Sequence, residues 1–176
     1  MVSAPEGITA LNHEAEELRL LQALSPLMSR GLAQVHFTDD GSLENLEAKL
    51  RENHYHILHL SGHGAYEGGK GVLYLEDEAT GRPRAVNAVE FNNVLAKAGR
   101  LGHRPELVLL SACQTAQGDR SGELGGVADT LLAAGQAAVV AMAASVLDDC
   151  ATEFEALLYR QLAEGEPLPA AFQAAI

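Results

Sequence analysis

Two cysteines, Cys113 and Cys150, are all that this sequence holds, too few and too far apart to make a disulfide framework. Basic residues are scarce as well: 12 Lys and Arg stand against 24 Asp and Glu, for a formal charge of −12. That balance excludes a nucleic-acid partner, because phosphate contacts draw on clustered Lys and Arg. No apolar run approaches the roughly 18 residues that span a bilayer, so no membrane contact is expected. Residues 1–7 lack the basic start and apolar core of a secretory signal. Together these absences predict a soluble chain in a reducing, cytoplasmic compartment, its acidity favouring solubility and basic partners. What is present is enough for a core: 176 residues at 47% apolar composition predict one domain over 1–176.

Two periodicities alternate along the chain. Helical spacing runs through residues 11–27, where Leu18, Leu21 and Leu24 share a face, and through 42–52, where Leu43, Leu46 and Leu50 do, with Ser42 as cap. Between them GLAQVHF (31–37) is strand-like and closes at Asp39-Asp40-Gly41, and YHILHL (55–60) follows as a strand. GVLYLED (71–77) alternates its side chains and ends at an ATGRP turn, which predicts a hairpin or edge element. Asn87, with Glu90 three residues on, predicts a capping box and a helix to about Ala98, stopped by Gly99. ELVLL (106–110) and AAVVAMAA (137–144) predict buried strands around a helix that ends near Ala134 at Gly135. A helix over 149–163 and a short helical piece complete the chain. Strands joined by helical crossovers predict an α/β fold, a mostly parallel sheet with helices on both faces.

Chemistry gathers at two strand ends. YHILHL runs into Ser61-Gly62-His63-Gly64, and ELVLL into Ser111-Ala112-Cys113-Gln114. Parallel strands end on one rim, so a His and a Cys share it. A thiol attacks only as thiolate, which a neighbouring imidazole sustains, and the same imidazole protonates a leaving amine. The glycines flanking His63 keep the backbone bare, which suits the amides of Gly64 and Cys113 to an oxyanion site.

SGHG (61–64), LLSACQTA (109–116) and GELGGVADTLLAAGQAAVVA (122–141) resemble the CHAT domain, a caspase-like and separase-like cysteine peptidase family that often follows tetratricopeptide repeats. His63 lies 50 residues before Cys113, similar to the caspase separation of about 50. The resemblance runs over nearly the whole chain and implies a three-layer caspase-like fold. It makes Cys113 the nucleophile, His63 the general acid/base, and the amides of Gly64 and Cys113 the oxyanion donors. It implies that Asp148, in the segment 144–148, receives an arginine or lysine of the substrate through a charge-assisted pair. Acidic residues at 148 and 149 also suit the start of the following helix. The implied activity is a cysteine endopeptidase cutting proteins or peptides after a basic residue through an acyl-enzyme, without cofactor. A regulatory repeat or sensor domain is expected outside these residues, the chain being a domain excised from a longer protein. The alternative is a catalytically silent interaction and signalling module. Two departures favour it: no tryptophan stands near Ala144, where many relatives carry one, and only four residues precede Pro5, where relatives begin with a buried strand.

Other chemistry-bearing residues have plainer explanations. His54, His56, His59 and His63 crowd one stretch, but on a strand the first pair faces one way and the second the other, so no metal site is expected among them. Cys150 is expected to be a buried structural thiol. Ser61 and Ser111 lack the G-x-S-x-G setting of a hydrolase nucleophile. Gly68, Gly69 and Gly71 lack the Gly-Lys-Ser/Thr of a phosphate loop and predict a mobile turn. Lys70 and Arg120 are expected on exposed loops, and residues 117–126 are expected to move on activation.

Overall fold

The computed structural model describes residues 1–8, 12–112, 126–142 and 148–176, with Asp148 and Asp149 described by their backbone alone. In chain order its elements are α1 (His13–Met28), α2 (Leu43–Glu52), β1 (Ile57–Ser61), β2 (His63–Glu67), β3 (Lys70–Glu76), β4 (Pro83–Asn87), α3 (Ala88–Arg100), β5 (Leu107–Ser111), α4 (Val127–Ala133), β6 (Ala138–Ala141), α5 (Asp148–Ala163) and α6 (Leu168–Ala175). The chain divides into two compact units, Met1–Ala10 with Phe37–Ser145, and Leu11–His36 with Val146–Ile176.

In the larger unit β1, β5 and β6 form a parallel sheet in that order. Every residue of β5 is buried, as a central strand covered on both faces requires. Val2 adds one parallel rung beside β1, with Ser3 N donating to the Ser61 carbonyl at 2.8 Å and Ser61 N to the Met1 carbonyl at 3.0 Å. The core joins Leu46 and Leu50 of α2, Phe91 and Leu95 of α3, Leu60, Leu73, Leu75 and Leu110 of the strands, and Leu131 of α4. Each such side chain stabilises the fold by about 1.5–3 kcal/mol. Ser42 caps α2 by accepting from Asn45 N at 3.1 Å. The capping box of α3 is complete, Asn87 accepting from the amides of Val89 and Glu90 while Glu90 reaches back to Asn87 N.

A second, antiparallel sheet, β2-β3-β4, was not expected. Only Gly62 separates β1 from β2, so the chain passes directly from the parallel sheet into a hairpin. Gly68 and Gly69, at φ 56° and 80°, make its two-residue turn, the conformation whose twist matches the flanking strands. The predicted mobile turn is therefore a tight one, and Lys70 begins a strand rather than a loop. Gly71 lies inside β3, where a Cβ would stand 2.7 Å from the amide nitrogen of Val127. β3 is the predicted hairpin strand, but it occupies the centre of its sheet and not an edge.

Three further expectations are corrected. Residues 31–37 form no strand; Leu32 is 61% exposed and the segment has no ladder partner among the described residues. Helix α3 runs through Gly99 and stops at Gly102, whose φ of 78° supplies the left-handed residue that a Schellman ending needs. There His103 N donates to the Ala98 carbonyl at 2.9 Å and Gly102 N to Gly99 at 3.1 Å. On α1, Leu18 is 57% exposed and Ala23 is the buried residue, so the covered face is turned from the one that the leucines marked.

The smaller unit packs α1 on α5 and α5 on α6. Phe154 meets Phe172 edge-to-face at 5.6 Å. Thr152, Glu155, Leu158 and Tyr159 form the buried stripe of α5. Burial, with the negative charges of Glu155 and Glu16, pushes the Tyr159 phenol well above its ordinary pKa. Cys150 falls off that stripe and is exposed, against the expectation of a buried thiol. Among the described residues no helix is long and apolar enough to cross a membrane.

Candidate active site

Register decides what the rim of the parallel sheet carries. Ser61 stands opposite Ser111, and both are buried strand ends. Gly62 N donates across the rim to the Ser111 carbonyl at 3.1 Å, which ties together the two segments leaving β1 and β5. His63 and Cys113 are each the second residue beyond this serine pair. The described chain ends on the β5 side at Ala112, which is buried; Cys113 lies outside the described residues, as do Arg120 and all of the segment expected to move except Gly126, the residue before α4. Asp148 is the first residue of α5, and its side chain is likewise not described.

His63 is half-buried and opens β2. The turn at Gly68-Gly69 closes on the pair Glu67 and Lys70, and in a two-residue hairpin that closing pair is hydrogen-bonded. Alternation from it places His63 and Ala65 in hydrogen-bonded pairs with β3, whereas Gly64 turns its N–H off the sheet edge that β2 forms among the described residues. An edge N–H without a ladder partner is what an oxyanion donor has to be.

The residue opposite His63 is Tyr74. On that face of the hairpin Tyr74 Oη donates to the Glu67 carboxylate, and this hydrogen bond raises the phenol pKa, with burial and the Glu67 charge adding to it. Neither residue was singled out in the sequence. A signal was there, because a two-residue Gly-Gly loop between Glu67 and Lys70 pairs position 63 with position 74. His59, on β1, and His54 and His56, before it, do not share a strand with His63.

An α/β chain with a histidine-bearing strand end beside the end of a buried central strand is the class defined by this fold. The CHAT domain family matches residues 2–176, and the chain belongs to that family. No match to it is found among the curated proteins.

Proposed function

We propose that this CHAT domain is a cysteine endopeptidase of caspase-like, three-layer architecture, with Cys113 as nucleophile and His63 as general acid/base. The observation that carries the proposal is the register of β1 on β5, Ser61 opposite Ser111, with His63 and Cys113 each two residues further along. The Cys113 sulfur attacks the scissile carbonyl, and the amides of Gly64 and Cys113 stabilise the oxyanion. The C–N bond breaks as the His63 imidazolium gives its proton to the leaving amine. Water, deprotonated by His63, then cleaves the thioester to release the acid and restore the thiol. Preference for arginine or lysine, received by Asp148, rests on the family resemblance alone. A cytoplasmic setting, a protein or peptide substrate and a regulatory repeat or sensor domain outside this chain belong to the same proposal.

The test is labelling with a peptide acyloxymethyl ketone carrying Arg, against one carrying Asp, in a Cys150→Ser background that removes the exposed second thiol. Modification of Cys113 that prefers the Arg probe and is lost in Cys113→Ala and His63→Ala is the expected result. Loss of the Arg preference in Asp148→Ala supports the pocket assignment. A folded protein that neither probe modifies means either the silent interaction module or a peptidase that waits for its regulatory domain, and repeating the labelling with that domain restored separates the two.

A further inference from the structure

Whether a folded chain can be cut depends on which stretch of backbone opens at low cost, and that cost is lowest where few apolar contacts hold it. No residue from Leu24 to Asp40 is buried. The second half of α1 and the segment that leads on to Phe37 are therefore weakly held. Pro26 stands inside α1 and has no N–H to give to the carbonyl one turn before it. The helix closes at Gly31, whose φ of 69° supplies the left-handed residue. Four backbone bonds make that ending: Ser29 N to the Ser25 carbonyl at 2.9 Å, Arg30 N to Leu27 at 3.1 Å, Gly31 N to Met28 at 3.0 Å and Leu32 N to Leu27 at 2.9 Å. Ser29, Arg30, Gly31 and Leu32 are all exposed, so water replaces these bonds when the turn frays.

Arg30 is the basic residue that this open turn presents. Every other described Lys or Arg lies within a helix or a strand, except Arg82 and Arg104, and each of those is followed by a proline. A proline nitrogen has no N–H and its ring fixes the backbone, which bars that bond to peptidases that cut after a basic residue. Arg100 is the nearest rival, being the last residue of α3. The chain after it is pinned, with His103 Nδ1 at 3.1 Å from the Leu50 carbonyl and Arg104 bonded to Gln136 and Asn92. After Arg30 the chain enters no helix or strand before α2.

We propose that the Arg30–Gly31 bond is a processing site, cut by a peptidase that recognises arginine. The Arg30 guanidinium is received by a carboxylate of that peptidase through a charge-assisted pair, and Gly31 sets no side chain against the incoming enzyme. One water adds across the C–N bond, leaving a carboxylate on Arg30 and an ammonium group on Gly31. The cut ends the covalent route from α1 to Phe37, where the larger unit resumes. The site does not rest on the peptidase reading of this chain. A second copy of this CHAT domain and a separate arginine-specific peptidase would use the same chemistry, and the experiment tells them apart.

The experiment is limited trypsin digestion of the folded chain in a Cys113→Ser, Arg120→Gln background, with the fragments read by intact mass. These changes remove self-cleavage and the one basic residue outside the described segments. Residues 1–30 and 31–176 are the expected first products. Arg30→Gln is expected to slow the loss of intact chain at least about tenfold, because the next bond opens only with more of the fold. A far-UV circular dichroism spectrum equal to its parent's separates lost cleavage from changed folding. A first cut at another bond, or Arg30→Gln digested as fast as its parent, would overturn the assignment. Wild type incubated alone at two concentrations identifies the enzyme. The same fragments, forming faster at the higher concentration and absent from Cys113→Ser, make it a second copy of this chain; an intact wild type beside a trypsin cut at Arg30 makes it a separate peptidase.

Discussion

Glu47 shows how far a single side chain's charge matters here. It accepts from Lys97 at 2.7 Å and Arg51 at 3.1 Å. The Lys97 hydrogen bond, with the charges of Lys97 and Arg51, holds its carboxyl below the ordinary 4.5 against the opposing effect of burial. Both cations are more than half exposed, so solvent screening limits the pair to about 1 kcal/mol or less. A depressed carboxyl stabilises the fold above its unfolded value and loses that contribution as pH falls through the folded value. Glu47→Gln is therefore expected to lower the urea midpoint modestly at pH 7, with the gap to wild type closing below about pH 4.5. A gap that stays constant with pH would show that packing, not charge, sets it. At this scale the candidate site was partly legible. His63 and Cys113 follow from motif and spacing, whereas Tyr74 comes beside His63 only through the register of a hairpin.

Elements rank these effects. In α3 the Asn87 cap is worth about 1 kcal/mol, whereas Phe91, fully buried on the same helix, is worth about 3–5 kcal/mol on truncation to Ala. Urea unfolding of Asn87→Ala and Phe91→Ala is expected to reproduce that order. Gly71→Ala tests a different term, because the new Cβ would stand 2.7 Å from Val127 N and 3.2 Å from the Gly126 carbonyl carbon. These are backbone atoms with no side-chain freedom to yield. A loss of about 1–3 kcal/mol is expected, against about 1 kcal/mol or less for Gly68→Asn at the open turn, where nothing lies within 4 Å and asparagine tolerates the positive φ. Equal losses would show that backbone conformation outweighs the contact with α4. The Gly99 expectation failed at this scale because composition does not say which of two nearby glycines takes the left-handed position. Gly102 takes it, and the helix runs two residues past Ala98, to Arg100, before turning.

For the molecule as a whole, the alkaline limb of stability tests the smaller unit. Tyr159 is buried with its phenol pKa raised by burial and by Glu155 and Glu16. A raised value means that stability is complete below the ordinary 10.0 and declines as pH rises above it. Tyr159→Phe is expected to lose less stability than wild type between pH 9 and pH 11, measured as the change in urea midpoint; parallel decline in the two would place the sensitivity elsewhere. The sequence by itself determined the α/β class, the order of most elements, the caps at Ser42 and Asn87 and the stop at Gly135. Such features depend on apolar period and on side chains within a few residues of the backbone groups they satisfy. Only the tertiary structure decided that β1 lies beside β5 with Ser61 on Ser111, that β3 is central to a second sheet, and that α1 buries Ala23 and exposes Leu18. The pairing of β1 with β5 joins residues 50 positions apart, and the choice among possible partners at that separation is made by which arrangement buries the most apolar surface while pairing every strand.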